Sequence, residues 1–152
     1  MKASPPSRSS RPSVKKPHLP QITMHPKFQR ADEFSHRVIG AAIEVHRLKG
    51  PGLLESIYQK CLMRELFLQN IPATQQITVP IDYKGYTFEE PLTLDVLIDD
   101  CLVLELKAVT QVLPIHRAQL LSYMRLMDIP LGLLINFHDM RLIDGVHRMV
   151  LQ

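Results

Sequence analysis

The sequence predicts one α/β domain over residues 28–152, and three observations carry that prediction. The apolar period runs at three to four residues through two early segments, switches to two in the middle of the chain, and returns to the helical value once before the last apolar runs. A chain of 152 residues is the size of one ordinary domain and can bury its own core. No window holds the ~18 consecutive apolar residues of a membrane span, and the N-terminus lacks the apolar centre of a secretory signal, so a soluble, cytoplasmic protein is expected.

Residues 1–27 stand apart in composition. Half of the twelve prolines fall in MKASPPSRSSRPSVKKPHLPQITMHP, interleaved with serines and bases. Such a stretch cannot bury enough apolar surface to offset its chain entropy, and a disordered basic tail is expected. Its Arg/Ser-rich, acid-free composition resembles an organelle transit peptide, but the prolines break the amphipathic helix such a peptide needs. Met24 offers an alternative start. The net charge of +3 divides unevenly: residues 1 to 30 carry seven bases and no acid, which leaves 11 bases against 15 acids from Ala31 onward. That balance of −4 gives the domain no bulk basic face of the kind nucleic-acid binders display.

The first helix is expected from Asp32 to Leu48, where Phe34, Val38, Ala41, Ala42, Val45 and Leu48 recur at helical steps until Gly50-Pro51-Gly52. A second is expected from near Leu53 to about Gln69, with Leu54, Ile57, Tyr58, Cys61, Leu62 and Leu66 inward and Asn70 and Pro72 as the stop. Gln76–Tyr83, a Lys84-Gly85 turn and Tyr86–Glu89 read as a hairpin, with Pro80 marking an edge strand. Leu92–Ile98 and Leu102–Lys107 are two further strands, followed by a helix between Pro114 and Pro130, a buried strand Leu131–Asn136 and a last strand Val146–Leu151. The two cysteines, Cys61 and Cys101, have no CxxC partner and read as small buried apolar residues, without a disulfide framework or zinc site.

Candidate chemistry sits where charge interrupts aliphatic strands. An ionised side chain in a buried strand is costly unless it is paired or bound to metal. Asp95 interrupts one strand, and Glu105 and Lys107 interrupt the next, sharing a face with Val103 while Leu102, Leu104 and Leu106 face the other way. The turn between the strands sets whether Asp95 joins them. A two-residue turn at Asp99-Asp100 opposes Asp95 to Leu104; a three-residue loop through Cys101 pairs Ile98 with Leu102 and sets Asp95 opposite Glu105. In the second register, which is the expected one, the two Cβ atoms stand ~5 Å apart, near enough for both carboxylates to hold one divalent cation. The plainer reading makes Asp95 a strand-end cap and Glu105 and Lys107 solvent-facing residues of a half-exposed sheet.

With these residues quoted, the sequence resembles a known family. Asp on one strand and E-x-K on the next, within the order α-β-β-β-α-β, resembles the PD-(D/E)xK nuclease superfamily, and GPGLLESIY is similar to the motif of its GxxExxY family. The likeness runs from about Val38 to Val150: Gly52, Glu55 and Tyr58, then YKG at Tyr83 to Gly85, LDVLI, LELKAV, HRAQLLSYMRL and GLLINF. Thr93 departs from it, standing where family members often place a base.

The resemblance implies a restriction-endonuclease-like αβββαβ core, with a mixed central sheet flanked by helices and one extra N-terminal helix. It implies a Mg²⁺-dependent nuclease, Mn²⁺ substituting, that acts on nucleic acid and on DNA first. Asp95 and Glu105 become metal ligands, Glu55 a further direct or water-mediated ligand, and Lys107 the cation that positions water or stabilises developing charge. Gln119 matches a helix glutamine that contacts the site or the nucleic-acid backbone in several branches. Gly52, Glu55 and Tyr58 are expected along one helical face, with Gly52 allowing close approach. Without the resemblance, Glu55 is a first-turn acid favoured by the helix dipole, Gln119 a buried amide, and Tyr58 and Tyr123 core fillers. His46 and His116 read as packing or surface residues. The second functional reading is a non-cleaving module of the same fold that binds nucleic acid or protein, and a short chain leaves specificity to a homodimer or a protein partner.

Overall fold

Two helices are laid down before any strand. In the computed structural model, which describes residues 2–18 and 23–152 and the backbone alone at residues 89–91, α1 (Phe28–Lys49) and α2 (Glu55–Leu68) precede β1 (Ala73–Tyr83), β2 (Tyr86–Ile98) and β3 (Leu102–Lys107). Helix α3 (Pro114–Met127) leads to β4 (Leu131–Asn136), and a 3₁₀ turn at Leu142–Gly145 leads to β5 (Val146–Val150). The five strands lie in chain order, antiparallel throughout except for β3 beside β4. A parallel neighbour needs a crossover, and α3 supplies it. The α/β order and mixed sheet are those expected from the sequence.

The alternation of β3 divides the core. Leu102, Leu104 and Leu106 pack with Ala41, Leu62 and Leu66 of the first two helices, whereas Val103 packs with Leu120 and Met124 of α3 on the other face. By the same alternation Glu105 and Lys107 fall on the α3 side. Helix α3 lies close on β4 because Gly132 has no side chain: a Cβ there would stand 2.7 Å from Met124 Sδ. Pro114 begins α3 at a position where its missing N–H costs nothing.

Several boundaries differ from expectation. Helix α1 starts one turn earlier, at Phe28, because Ala31 extends its buried stripe of Ser35, Val38, Ala41, Ala42 and Val45 backwards. Strand β2 is continuous from Tyr86 to Ile98, where two strands, Tyr86–Glu89 and Leu92–Ile98, were expected. A bulge interrupts its pairing: Val79 pairs with Leu92 and Ile81 with Phe88, so two residues of β1 span four of β2. Strand β1, which carries Pro80, is the edge. Cys101 is buried and Cys61 half-buried, and both are free thiols. Residues 2–18 are exposed and form neither helix nor strand; Met1 and residues 19–22 of the expected tail lie outside the described residues. No helix among the described residues is long and apolar enough to cross a membrane.

Candidate active site

The β2–β3 connection sets the register. Asp99 and Asp100 take left-handed backbone angles (φ 44° and 56°), which aspartate tolerates better than most residues, and Cys101 N–H donates to Ile98 O at 2.9 Å. Arg30 holds the turn from outside through Asp99, Nε to Oδ2 at 3.0 Å, and Lys27 Nζ donates to Asp100 O at 2.9 Å. Ile98 therefore pairs with Leu102, Leu97 with Val103 and Val96 with Leu104, the register of the three-residue loop.

Asp95 stands where both flanking ladders break. On the β3 side the pairing runs no further than Val96–Leu104, and Asp95 Oδ2 accepts the Leu106 N–H at 2.8 Å in its place. On the β1 side Gln75–Val96 and Ile77–Leu94 are paired, but Gln76, between them and opposite Asp95, is not, and it has φ 53°. A non-glycine residue held in this conformation inside a strand is strained, a cost characteristic of sites where geometry is fixed for function. The sheet thus splays around one carboxylate.

Glu105 occupies the opening. It is 6% exposed; Lys107 Nζ lies 3.5 Å from its Oε1, and its Oε2 is buried without a hydrogen-bond partner among the described residues. Burial, and then the neighbouring Asp95, pushes its carboxyl up to about 8, against the lowering effect of Lys107. Glu55, at the start of α2, is also raised, by burial and then by Asp95, with Lys107 again opposing. The Tyr123 phenol on α3 is raised by burial and by the charges of Glu105 and Asp95. Elements from both faces of the sheet therefore bring Glu55, Asp95, Glu105, Lys107 and Tyr123 into one electrostatic neighbourhood.

The Gly52, Glu55, Tyr58 segment is built differently from the expected helical face. Helix α2 begins at Glu55, so Gly52 lies in the loop before it. Gly52 has φ 106°, and a Cβ there would meet nothing within 4 Å; its role is conformational, and the expected close approach is absent. Tyr58 is fully buried and stacks on Phe137 with ring centroids 4.6 Å apart. Its hydroxyl donates to Gly50 O at 2.6 Å and accepts the Leu53 N–H at 3.1 Å, so it pins the loop that delivers Glu55.

Gln119 is exposed on α3, one turn before Tyr123, with no side-chain hydrogen bond among the described residues. It is not the buried amide of the plain reading. His116 Nδ1 accepts the Leu113 N–H at the start of α3, and His46 Nε2 lies 2.8 Å from Asp139 O.

Three supporting residues escaped the sequence reading. Gln76 supplies the break opposite Asp95. Gln59 is buried one turn after Glu55, with Nε2 3.4 Å from Asp95 O, and its four-residue spacing from Glu55 was the available signal. Asn136 ends the apolar run of β4, and its buried amide grips Val109 through both N–H and carbonyl, at 3.0 and 2.9 Å, which ties the exit of β3 to β4.

Chemically, the arrangement gathers three carboxyls and one ammonium around a buried position and, among the described residues, leaves one acceptor oxygen unused. Among the described residues no three His, Cys, Asp or Glu side chains are grouped to hold a metal ion by themselves. An acidic pair nevertheless fits Mg²⁺, which is usually bound through one or two carboxylates, with waters and substrate phosphates completing its shell. A divalent cation held by Asp95 and Glu105 would give Glu105 Oε2 a partner and offset the mutual repulsion of the two carboxyls.

Residues 32–149 match the family model described as PD-(D/E)XK nuclease superfamily. The chain belongs to that superfamily. No curated protein and no solved structure gives a significant match. Membership of the PD-(D/E)XK superfamily is consistent with the αβββαβ core and suggests a nuclease-type function and a nucleic-acid substrate. Nucleases of the superfamily generally use divalent metals.

Proposed function

We propose that this protein is a Mg²⁺-dependent nuclease of the GxxExxY kind that hydrolyses phosphodiester bonds in DNA within the cytoplasm. The observation that carries the reading is the buried Glu105 Oε2, without a partner among the described residues, set beside a second carboxylate and an ammonium 3.5 Å from Oε1. Burying that set costs several kcal/mol, and a fold with no use for it would be served by aliphatic residues of similar size.

In this reading Asp95 and Glu105 hold a divalent cation, Mg²⁺ or Mn²⁺, which supplies Lewis acidity to a phosphoryl oxygen and lowers the pKa of water. Glu55 acts through an intervening water. Lys107 places its Nζ beside Glu105, where it orients the attacking water and faces the negative charge that builds on the phosphoryl oxygens. The Leu106 N–H, through Asp95 Oδ2, keeps that carboxylate from rotating away. Exposed Gln119 contacts the nucleic-acid backbone as it arrives over α3. A homodimer or protein partner supplies sequence preference.

The test is a cleavage assay on a panel of DNA and RNA substrates with Mg²⁺ or Mn²⁺, run beside Asp95→Ala and Lys107→Ala. DNA is expected to be cut by the parent. Asp95→Ala should lose activity to background, and Lys107→Ala should lose ~10²–10³-fold, the scale for removing one preorganised group that stabilises transition-state charge. Variants as active as the parent would refute the assignment, and a parent that binds DNA without cutting would establish the non-cleaving module instead.

A further inference from the structure

A nuclease must bring a polyanion to its catalytic centre, and here that centre is acidic. From Ala31 onward 11 bases face 15 acids, and several of those bases already have partners. Arg47 pairs with Glu44, Arg148 with Asp32 and Lys107 with Glu105, while Arg37 donates to Gln69 O at 2.9 Å. The folded domain thus carries a net charge of −4 and no overall attraction for phosphates, the groups that dominate nucleic-acid affinity.

The missing charge lies in residues 2–18, which are exposed, lack helix and strand, and carry Lys2, Arg8, Arg11, Lys15 and Lys16 with no acid. Their prolines favour extended backbone at ~3.1 Å per residue, so the segment can reach about 50 Å and lay its bases along several phosphates. It has no Phe, Tyr or Trp to stack on bases and, alanine and proline aside, one aliphatic side chain, Val14. An anionic membrane surface offers such a segment charge but nothing for an apolar face to enter. The acidic centre on the same chain calls for nucleic acid.

We propose that residues 2–18 are an electrostatic tether that binds nucleic-acid phosphates without regard to sequence and delivers the strand to the Asp95–Glu105 centre; the inference rests on the nuclease reading above.

The test uses the full chain carrying Asp95→Asn, so that DNA is bound and not cut, with Lys2, Arg8, Arg11, Lys15 and Lys16 either intact or all replaced by Gln. Affinity for a fluorescent 20-nucleotide DNA, single-stranded and duplex, is followed by anisotropy across a salt series. Neutralising the tail is expected to weaken binding at least ~10-fold at 0.1 M salt. The salt slope of log K should shrink by as much as about 3.5 for the single strand and about 4.5 for the duplex, or 0.7 and 0.9 per neutralised phosphate. Equal affinity and slope with and without the charges would overturn the tether. So would tighter binding by the neutral tail, which would mean that the tail covers the acidic centre, and so would a preference of the intact tail for vesicles of anionic lipid over DNA. Hydrolysis by the chain with Asp95 intact is scored separately. Cleavage with tail-independent binding removes the tether alone, whereas tail-dependent binding with no cleavage removes the nuclease reading and leaves the tether.

Discussion

Glu105 is held in a state that water would not permit. The folded protein retains its proton up to about pH 8, whereas the unfolded chain releases it near the ordinary 4.5, so between those values the native state binds more protons. For a carboxyl raised on folding, the stability it contributes is fully present below about pH 4.5 and is lost as pH rises through about 8. The slope for one such group is at most ~1.4 kcal/mol per pH unit. Urea unfolding with chelator present should therefore show the parent losing stability relative to Glu105→Gln from pH 5 to 8, because the amide has no proton to lose. Parallel pH profiles for the two proteins would show that Glu105 is not perturbed. The identities of Asp95, Glu105 and Lys107 stood out in the sequence because charge in an aliphatic strand is conspicuous. The orphaned oxygen did not, since it depends on which neighbours fail to reach it.

At the level of elements, local rules read well and tertiary compensation did not. Helix periods, the Gly50 stop, the edge placement of β1 and the three-residue β2–β3 loop all follow from steric and periodic arguments. The continuity of β2 through Pro91 and the strained Gln76 were hidden, because a bulge and an interrupted ladder are settled by the partner strand. The Gly52–Tyr58 segment was located from its resemblance to a motif but misread as a helical face; its tyrosine is a clamp on the preceding loop. Tyr58→Phe keeps the ring on Phe137 but strips Gly50 O and Leu53 N–H of their partner. The expected cost is about 1–3 kcal/mol, two hydrogen bonds at ~0.5–1.5 kcal/mol each, seen as a lower urea midpoint with an unchanged slope. A midpoint equal to that of the parent would show that water replaces the hydroxyl and that the clamp contributes nothing.

For the molecule as a whole, charge is segregated into a basic extension and an acidic domain whose most buried acid faces another carboxylate. The division was plain in the sequence because counting charge needs no coordinates; the approach of Glu55 to Asp95 and Lys107 was not, since it depends on how α2 meets the end of β3. Such a domain is under electrostatic stress that a bound divalent cation would relieve, and on the proposed reading the relief should appear in folding because the unfolded chain has no preformed site. A ligand at one hundred times its dissociation constant adds about 2.7 kcal/mol to the stability of the native state. Mg²⁺ or Mn²⁺ should accordingly raise the melting temperature above that in chelator, and the gain should vanish in the Asp95→Asn, Glu105→Gln double variant. Because the cation must displace the Glu105 proton, the gain should be larger at pH 8 than at pH 6. A melting temperature indifferent to both metals at both pH values would leave the acidic pair without a cation to serve, and with it the hydrolytic reading of the site.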